Sequence, residues 1–169
     1  MNCWVIQGFF TEGLAGKLLG GWQLNGVGLF QSGAPLQITG GNPSALNAGT
    51  LRPNWNGGNP TRSGDITDRL GPYFDTSVFS FNAPFTFGTA PRIMPSLYGP
   101  GAKNFDFSLF KNARINQRYQ LQFRAEVFNA FNRVQLGNPA TNINQSTFGR
   151  ITAQANSPRD VQLALKLLF

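Results

Sequence analysis

Several residue types and segments are absent or scarce in this 169-residue sequence, and each absence excludes a class of function. There is no histidine, so the commonest general base and metal ligand is missing. The single cysteine, Cys3, excludes an internal disulfide and a cysteine-cluster metal site. No apolar run approaches the ~18 residues of a transmembrane helix. Charged residues make up 12% of the chain, against about 25% in an ordinary globular domain.

The basic excess of the sequence does not identify a nucleic-acid partner. Fourteen lysines and arginines against seven acidic residues give a net charge of +7, a sign shared with nucleic-acid-binding domains. These basic residues are scattered singly, without a basic run or a charged helix stripe. We therefore expect no nucleic acid among the partners. The sequence also predicts no metal and no cofactor.

Aromatic and turn-forming residues, by contrast, are abundant. Aromatics make up 13% of the chain, with sixteen phenylalanines, and there are 20 glycines and 11 prolines. So many apolar side chains exclude a disordered chain, and the glycines and prolines suit short strands joined by turns. The composition predicts an all-β fold.

The last nine residues carry the clearest strand pattern. Large apolar side chains alternate there with small or polar ones: Val161, Leu163, Leu165, Leu167 and Phe169 against Gln162, Ala164 and Lys166. This period of two predicts a strand with one apolar and one wet face. A strand of about nine residues also crosses a bilayer when it is tilted. We therefore predict a transmembrane β-barrel in which this is the closing strand.

A hairpin is predicted directly after position 102. Residues 102–112 and 119–129 both alternate, and a turn centred on Ile115 pairs their apolar residues, Phe107 with Phe123 and Leu109 with Leu121. On the other face, this register places Asp106 opposite Arg124, with Glu126 as a diagonal neighbour. We predict that these three residues form a charge cluster.

A second hairpin is predicted at the end of the chain. Residues 148–155 read as a smaller strand, and a turn centred on Pro158 places Ala153 beside Leu163 and Ile151 beside Leu165. With a strand over 22–32, this gives an antiparallel meander of about five or six strands. Gly26 and Gly28 in the earlier strand indicate a bulge or a close approach of the backbone.

The segment 40–101 has no sustained period and reads as a long loop, so that 102–169 holds the terminal strands. A loop of this length argues against a compact soluble domain unless it has a function.

The polar faces of the predicted strands favour a barrel over a soluble sandwich. They carry glutamine, serine and threonine instead of the lysine and glutamate of a soluble surface. We predict that the Asp106, Arg124 and Glu126 cluster faces the lumen, and that Lys111 beside Tyr119 anchors the sheet at the membrane interface. The residues predicted to face lipid are Phe105, Phe107, Leu109, Leu121, Phe123, Val127, Leu163 and Leu165.

Two other classes of function fit parts of the sequence. A secreted β-sandwich could bind carbohydrate through Trp55 and Tyr73. An enzyme could use Asp106 and Glu126 as a carboxylate pair for glycoside hydrolysis, but Arg124 between them would hold both ionised, which disfavours the raised pKa of a general acid. We expect that the protein is not an enzyme.

Several motifs closely resemble the barrel ends of Oar-like TonB-dependent outer-membrane transporters. Over 100–169 they are Pro100-Gly101, the run from Asn104 to Lys111, the run from Leu121 to Asn132, Phe148-Gly149-Arg150-Ile151 and the terminal Phe169. Upstream, Gly20-Gly21-Trp22-Gln23-Leu24-Asn25-Gly26 and Gln31-Ser32-Gly33-Ala34-Pro35 resemble the same family. The resemblance covers most of the chain and is weaker within the loop.

The resemblance implies a barrel of about 22 strands with an internal plug, energised by TonB and used for uptake or export of a substrate that the sequence does not identify. It implies outer-membrane lipid, the remaining barrel and plug, TonB and the barrel-assembly machinery as partners. The last strand resembles the signal that the assembly machinery reads, in Gln162, Ala164, Leu167 and Phe169. The family usually has glycine where this chain has Ala164.

The first ten residues lack the features of a signal peptide, so we expect the chain to be the C-terminal part of a longer barrel domain and not competent alone. One expectation is in conflict with the others. If Phe169 ends in the periplasm, counting the predicted hairpins backwards places 40–101 on the periplasmic side, whereas long barrel loops are usually extracellular.

Overall fold

The computed structural model describes residues 2–7, 20–42 and 50–169. Its strands are β1 (Asn2–Gln7), β2 (Trp22–Gln31), β3 (Asn54–Trp55), β4 (Phe79–Ser80), β5 (Ala102–Arg114), β6 (Gln120–Phe128) and β7 (Asp160–Leu168). The described part of the chain has one short 3₁₀ helix, Thr67–Arg69. It contains no helix that is long and apolar enough to cross a membrane.

The described residues divide into two compact units. The sheet unit consists of the described parts of Met1–Gln31, with Ala102–Val134 and Asn156–Phe169. The loop unit consists of the described parts of Ser32–Gly101, with Gln135–Ala155.

The sheet unit is one antiparallel sheet of five strands in the order β1-β2-β5-β6-β7. Strands that neighbour each other in the sheet follow one another along the chain, apart from the short β3 and β4 of the loop unit. The predicted all-β antiparallel meander is confirmed.

The register of β2 on β5 is unbroken from Trp22 opposite Lys111 to Gln31 opposite Ala102. There is no bulge in this ladder, so Gly28 marks a close approach of the two strands. A Cβ atom added to Gly28 would lie 3.3 Å from Cε1 of Phe105, its partner on β5. Glycine leaves room for that ring.

The predicted register of the β5–β6 hairpin is wrong by four residues. Phe107 pairs with Val127 and Leu109 with Ala125, where Phe123 and Leu121 were predicted. The turn is centred on Gln117 and not on Ile115, and within it the Oδ1 atom of Asn116 accepts hydrogen bonds from the backbone N–H groups of Arg118 and Tyr119, each at 2.8 Å. An even shift leaves every side chain on its predicted face.

The predicted strand over 148–155 is also wrong. β7 pairs with β6 instead, from Phe128 opposite Asp160 to Gln120 opposite Leu168. Ile151 belongs to the buried core of the loop unit, and Phe148 packs against that core. Gly149 between them has a φ of +79°, which interrupts an extended strand.

The predicted loop over 40–101 is part of the loop unit, which has a hydrophobic core in its described residues; 43–49 lie outside them. Ile38, Phe74 and Met94 are fully buried, and the rings of Phe74, Phe79 and Phe148 meet edge to face. The backbone is held by single bridges and side-chain hydrogen bonds more than by ladders. Such a unit shows no period in its sequence, because no strand among its described residues exceeds two residues.

The connections of the sheet differ at its two ends. The two long ones, from β2 to β5 and from β6 to β7, leave and re-enter at the same end. The turn between β5 and β6 lies at the other end, together with Phe169. Because 148–155 is not a strand, the count of hairpins changes by one, and the long segments no longer fall on the side of the C-terminus.

Candidate functional site: the two faces of the sheet

One face of the sheet is apolar across four strands. Residues that lie side by side form rows: Trp22, Lys111, Phe123 and Leu165 in one row, and Leu24, Leu109, Ala125 and Leu163 in the next. Leu163 and Leu165 are 70% and 68% exposed. All eight residues predicted to face lipid share this face. An open apolar face of this extent marks an interaction surface.

Aromatic rings border the apolar face at both ends. The Nζ atom of Lys111 lies 5.1 Å from the ring centroid of Trp22 and 2.5 Å from the carbonyl oxygen of Gly20. At the other end, Phe105 meets Phe30 at 5.3 Å and Phe131 at 5.4 Å between ring centroids. The predicted partner of Lys111 on β6 was Tyr119; in the structure Lys111 lies opposite Phe123 on β6 and opposite Trp22 on β2.

The distance between these borders matches a membrane. Trp22 and Phe30 are eight residues apart on β2, which is about 27 Å along the strand at ~3.4 Å per residue. A tilt of about 40° reduces this to about 20 Å across the membrane, close to the ~25 Å apolar band of outer-membrane barrels.

The opposite face is polar and rich in amides. The Nε2 atom of Gln23 donates to Oδ1 of Asn25 at 3.0 Å, and the Nε2 atom of Gln122 donates to Oδ1 of Asn112 at 2.9 Å. Further along, Asn25 donates to Ser108 at 3.4 Å. Partners of this kind suit a surface in contact with water and do not suit hydrocarbon.

The predicted charge cluster is divided in the structure. Arg124 and Glu126 form an ion pair at 3.2 Å, and the guanidinium carbon of Arg124 lies 4.6 Å from the ring centroid of Phe110. Arg124 pairs with Phe110 and not with Asp106, because the turn is centred two residues later than predicted. Both members of the ion pair are partly exposed, so the pair contributes little to stability.

Asp106 belongs instead to a hydrogen-bond network at the end of β6. Its Oδ1 atom accepts from the backbone N–H of Asn129 and from Nδ2 of Asn104, both at 2.8 Å. Asn129 is buried, with a φ of +48°, and its Nδ2 atom donates to the carbonyl oxygens of Arg133 and Ser157. In the sequence, the pair Asn129 and Asn132 indicates this hydrogen-bond network, since asparagine tolerates the positive φ that both residues adopt.

A family model described as "Outer membrane beta barrel domain" matches residues 5–162. The chain belongs to this family. A search of curated proteins found no match, and neither did a search of solved structures. The sheet is thus part of the wall of an outer-membrane β-barrel, and the protein is located in the outer membrane.

The residues of the predicted assembly signal lie on β7, the edge strand of the sheet, or directly after it. Leu167 is on the apolar face, whereas Gln162 and Ala164 are on the polar face opposite Glu126 and Arg124. Phe169 follows β7 and is 96% exposed. Among the described strands, β7 pairs only with β6, which leaves its other edge open.

The loop unit has a cleft lined by Thr61, Arg62, Arg69, Tyr73 and Tyr98. The hydroxyl of Tyr73 donates to the carbonyl oxygen of Tyr98 at 2.8 Å, and burial raises the pKa of the Tyr73 phenol. Hydrogen bonds from the side chain and backbone of Ser77 lower the pKa of Asp75, and bonds from Thr67 lower the pKa of Asp65.

The aromatic residues of the carbohydrate-binding alternative are not displayed for stacking on sugars. Tyr73 is 7% exposed. Trp55 packs against the core of the loop unit and donates its Nε1–H to the carbonyl oxygen of Gly58 at 2.8 Å. No group of three or more histidine, cysteine or acidic side chains suited to a metal occurs in the part of the chain that the structure describes.

Proposed function

We propose that the chain forms the C-terminal wall of a TonB-dependent transporter of the Oar-like kind. The observation that carries the proposal is a single sheet with a continuous apolar face on one side and a hydrogen-bonded amide face on the other. The motifs of 100–169 that resemble Oar-like transporters support the finer assignment. In this role the apolar face contacts lipid, and the amide face, with Arg124 and Glu126, lines the lumen.

The lengths of the connections give the wall its orientation. Barrels of this kind have short periplasmic turns and long extracellular loops. The turn around Gln117 and the terminal Phe169 accordingly lie at the periplasmic end. The loop unit, built from both long connections, is on the cell surface, where it can meet substrate.

The five strands of the sheet in the described residues are too few to close a barrel of this width, so β1 and β7 pair with further strands of the same protein. The rest of the barrel and the plug complete the conduit, and TonB energises it. The barrel-assembly machinery reads β7 through Gln162, Ala164, Leu167 and Phe169. The wall carries no catalysis and binds no nucleic acid.

Neighbouring residues on the two faces provide the test. In a Cys3→Ser background, Ser108→Cys places a thiol on the amide face and Leu109→Cys places one on the apolar face. A charged thiol reagent should label Ser108→Cys many-fold faster than Leu109→Cys, because only the lumen admits water. Equal labelling of the two variants would contradict the assignment of the faces.

TonB dependence is tested in the same cells. Labelling of Ser108→Cys should slow when TonB is deleted, since the plug then stays seated and restricts access to the lumen. Leu109→Cys should not respond to the deletion. A rate for Ser108→Cys that is the same with and without TonB would leave a barrel wall but overturn the TonB-dependent transporter.

A further inference from the structure

A defined group of residues, here called the rim cluster, lies at the surface end of the sheet: Phe30 and Lys103 on the apolar face, and Phe131, Arg133 and Arg159 in the connection between β6 and β7. Phe30 and Phe131 are 57% and 62% exposed, and both rings meet Phe105 edge to face. Lys103 pairs with Phe30 across β2 and β5 and so lies on the same face.

The hydrogen-bond network at the end of β6 fixes the backbone of the rim cluster. The backbone N–H of Ala130 donates to the carbonyl oxygen of Phe105 at 2.9 Å. This bond turns the chain back over the sheet, so that the Phe131 ring also lies 6.2 Å from the Phe107 ring. The backbone N–H groups of Arg133 and Arg159 are bound by the side chains of Asn129 and Asn132, at 2.9 and 3.1 Å.

The two arginines of the rim cluster are available to an outside anion. Lys103, Arg133 and Arg159 are all exposed, and neither arginine forms an ion pair within the described residues. The two carboxylates of this end are engaged elsewhere: Asp106 with Asn104 and Asn129, and Asp160 with Gln162 at 3.4 Å.

We propose that the rim cluster binds the phosphate groups of a phosphorylated glycolipid in the outer leaflet. The proposal rests on the proposed function, since it needs the apolar face in lipid and the long connections on the cell surface. Exposed aromatic rings at the border of an apolar face lie at the level of the headgroups. Cations beside them reach the phosphate layer, where guanidinium groups bind phosphate through two parallel hydrogen bonds.

The periplasmic end of the same face differs. There Lys111 stacks on Trp22 and donates to the carbonyl oxygen of Gly20, so its ammonium group is held by the protein. Two exposed arginines, Arg114 and Arg118, lie beside the turn at this end and provide a matched control.

The experiment uses the complete outer-membrane protein that contains this chain, in nanodiscs of phosphatidylethanolamine with a trace of lipid A. Binding of bisphosphorylated lipid A is compared with binding of enzymatically dephosphorylated lipid A by native mass spectrometry. The variants are Arg133→Gln/Arg159→Gln and the control Arg114→Gln/Arg118→Gln. Inorganic phosphate at millimolar concentration is added as a competitor.

We expect the wild type to prefer the phosphorylated lipid. The rim variant should bind it about thirtyfold more weakly, since a cation near an anionic membrane surface contributes about fivefold each. The control variant should bind like the wild type, and inorganic phosphate should not compete. Any one of three results would overturn the inference: no preference for phosphorylated lipid, an equal loss in the control variant, or displacement by free phosphate.

Failure of this inference is distinguishable from failure of the proposed function. If Ser108→Cys and Leu109→Cys label as expected but lipid A binding ignores the phosphates, only the rim cluster is refuted. If the two cysteines are labelled at the same rate, the assignment of the apolar face to lipid and the amide face to the lumen is wrong. The inference that the rim cluster binds lipid then fails with it.

Discussion

Asp106 on β5 accepts a hydrogen bond of 2.8 Å from the backbone N–H of Asn129, the first residue after β6. The bond joins two neighbouring strands where the register of their ladder ends. A carboxylate that receives a backbone N–H at this point ends the hairpin and fixes the start of the long connection that follows.

Replacing Asp106 with alanine should therefore destabilise the sheet. The loss is about 1.5–3 kcal/mol, the contribution of a hydrogen bond to a charged group, and it should appear as a lower midpoint when the barrel is unfolded in urea. Asp106→Asn keeps an oxygen acceptor and should lose less than half as much. Equal losses for the two variants would mean that the carboxylate charge, and not the bond to Asn129, stabilises this end.

The close approach at Gly28 predicts an effect of a single methyl group. Gly28→Ala places a Cβ at 3.3 Å from the Phe105 ring, and the ring also packs between Phe30 and Phe131. We expect a destabilisation of about 1–3 kcal/mol from overpacking, measured in the same urea titration. Gly71→Ala, with no heavy atom within 4 Å of the added Cβ, is the control and should be near neutral. A neutral Gly28→Ala would show that Phe105 can move aside.

The buried phenol of Tyr73 predicts a loss of stability at alkaline pH. Burial raises the pKa of Tyr73 above its usual value of 10.0, against the opposing charge of Arg69. A raised pKa means that the folded state favours the neutral phenol, so the stabilisation is fully present below pH 10 and is lost as pH rises through the folded pKa.

Absorbance of tyrosinate at 295 nm measures this titration. The late-titrating component should disappear in Tyr73→Phe and persist in Tyr98→Phe, whose side chain is 52% exposed in the wild type. If the late component persists in Tyr73→Phe, then burial of this phenol is not its cause.

The faces of the sheet could be predicted from the sequence, whereas its registers could not. Side chains alternate strictly along a strand, so Leu109 and Leu163 are assigned to one face by position alone. The register depends on the position of the turn, and the two side-chain hydrogen bonds of Asn116 within it are not encoded in any apolar pattern. The observed register, shifted by four residues from the predicted one, separates Asp106 from Arg124 and divides the predicted charge cluster.

The loop unit was missed for a related reason. Ile151 and Ala153 alternate like a strand, but Ile151 and its neighbour Phe148 contribute to a core with Phe74 and Phe79, more than sixty residues earlier in the chain. Pairings at such separations leave no local period. The false strand that resulted placed the long loop at the same end of the sheet as the C-terminus, whereas the structure has it at the opposite end.

The orientation of the barrel wall is the claim on which the remaining proposals depend, and surface labelling tests it most directly. In a Cys3→Ser background, Ser63→Cys lies in the long connection between β2 and β5, and Gln117→Cys lies in the turn between β5 and β6; both positions are exposed. A membrane-impermeant maleimide should label Ser63→Cys on intact cells, and Gln117→Cys only after the outer membrane is permeabilised. Labelling of Gln117→Cys on intact cells, with Ser63→Cys protected, would contradict the account.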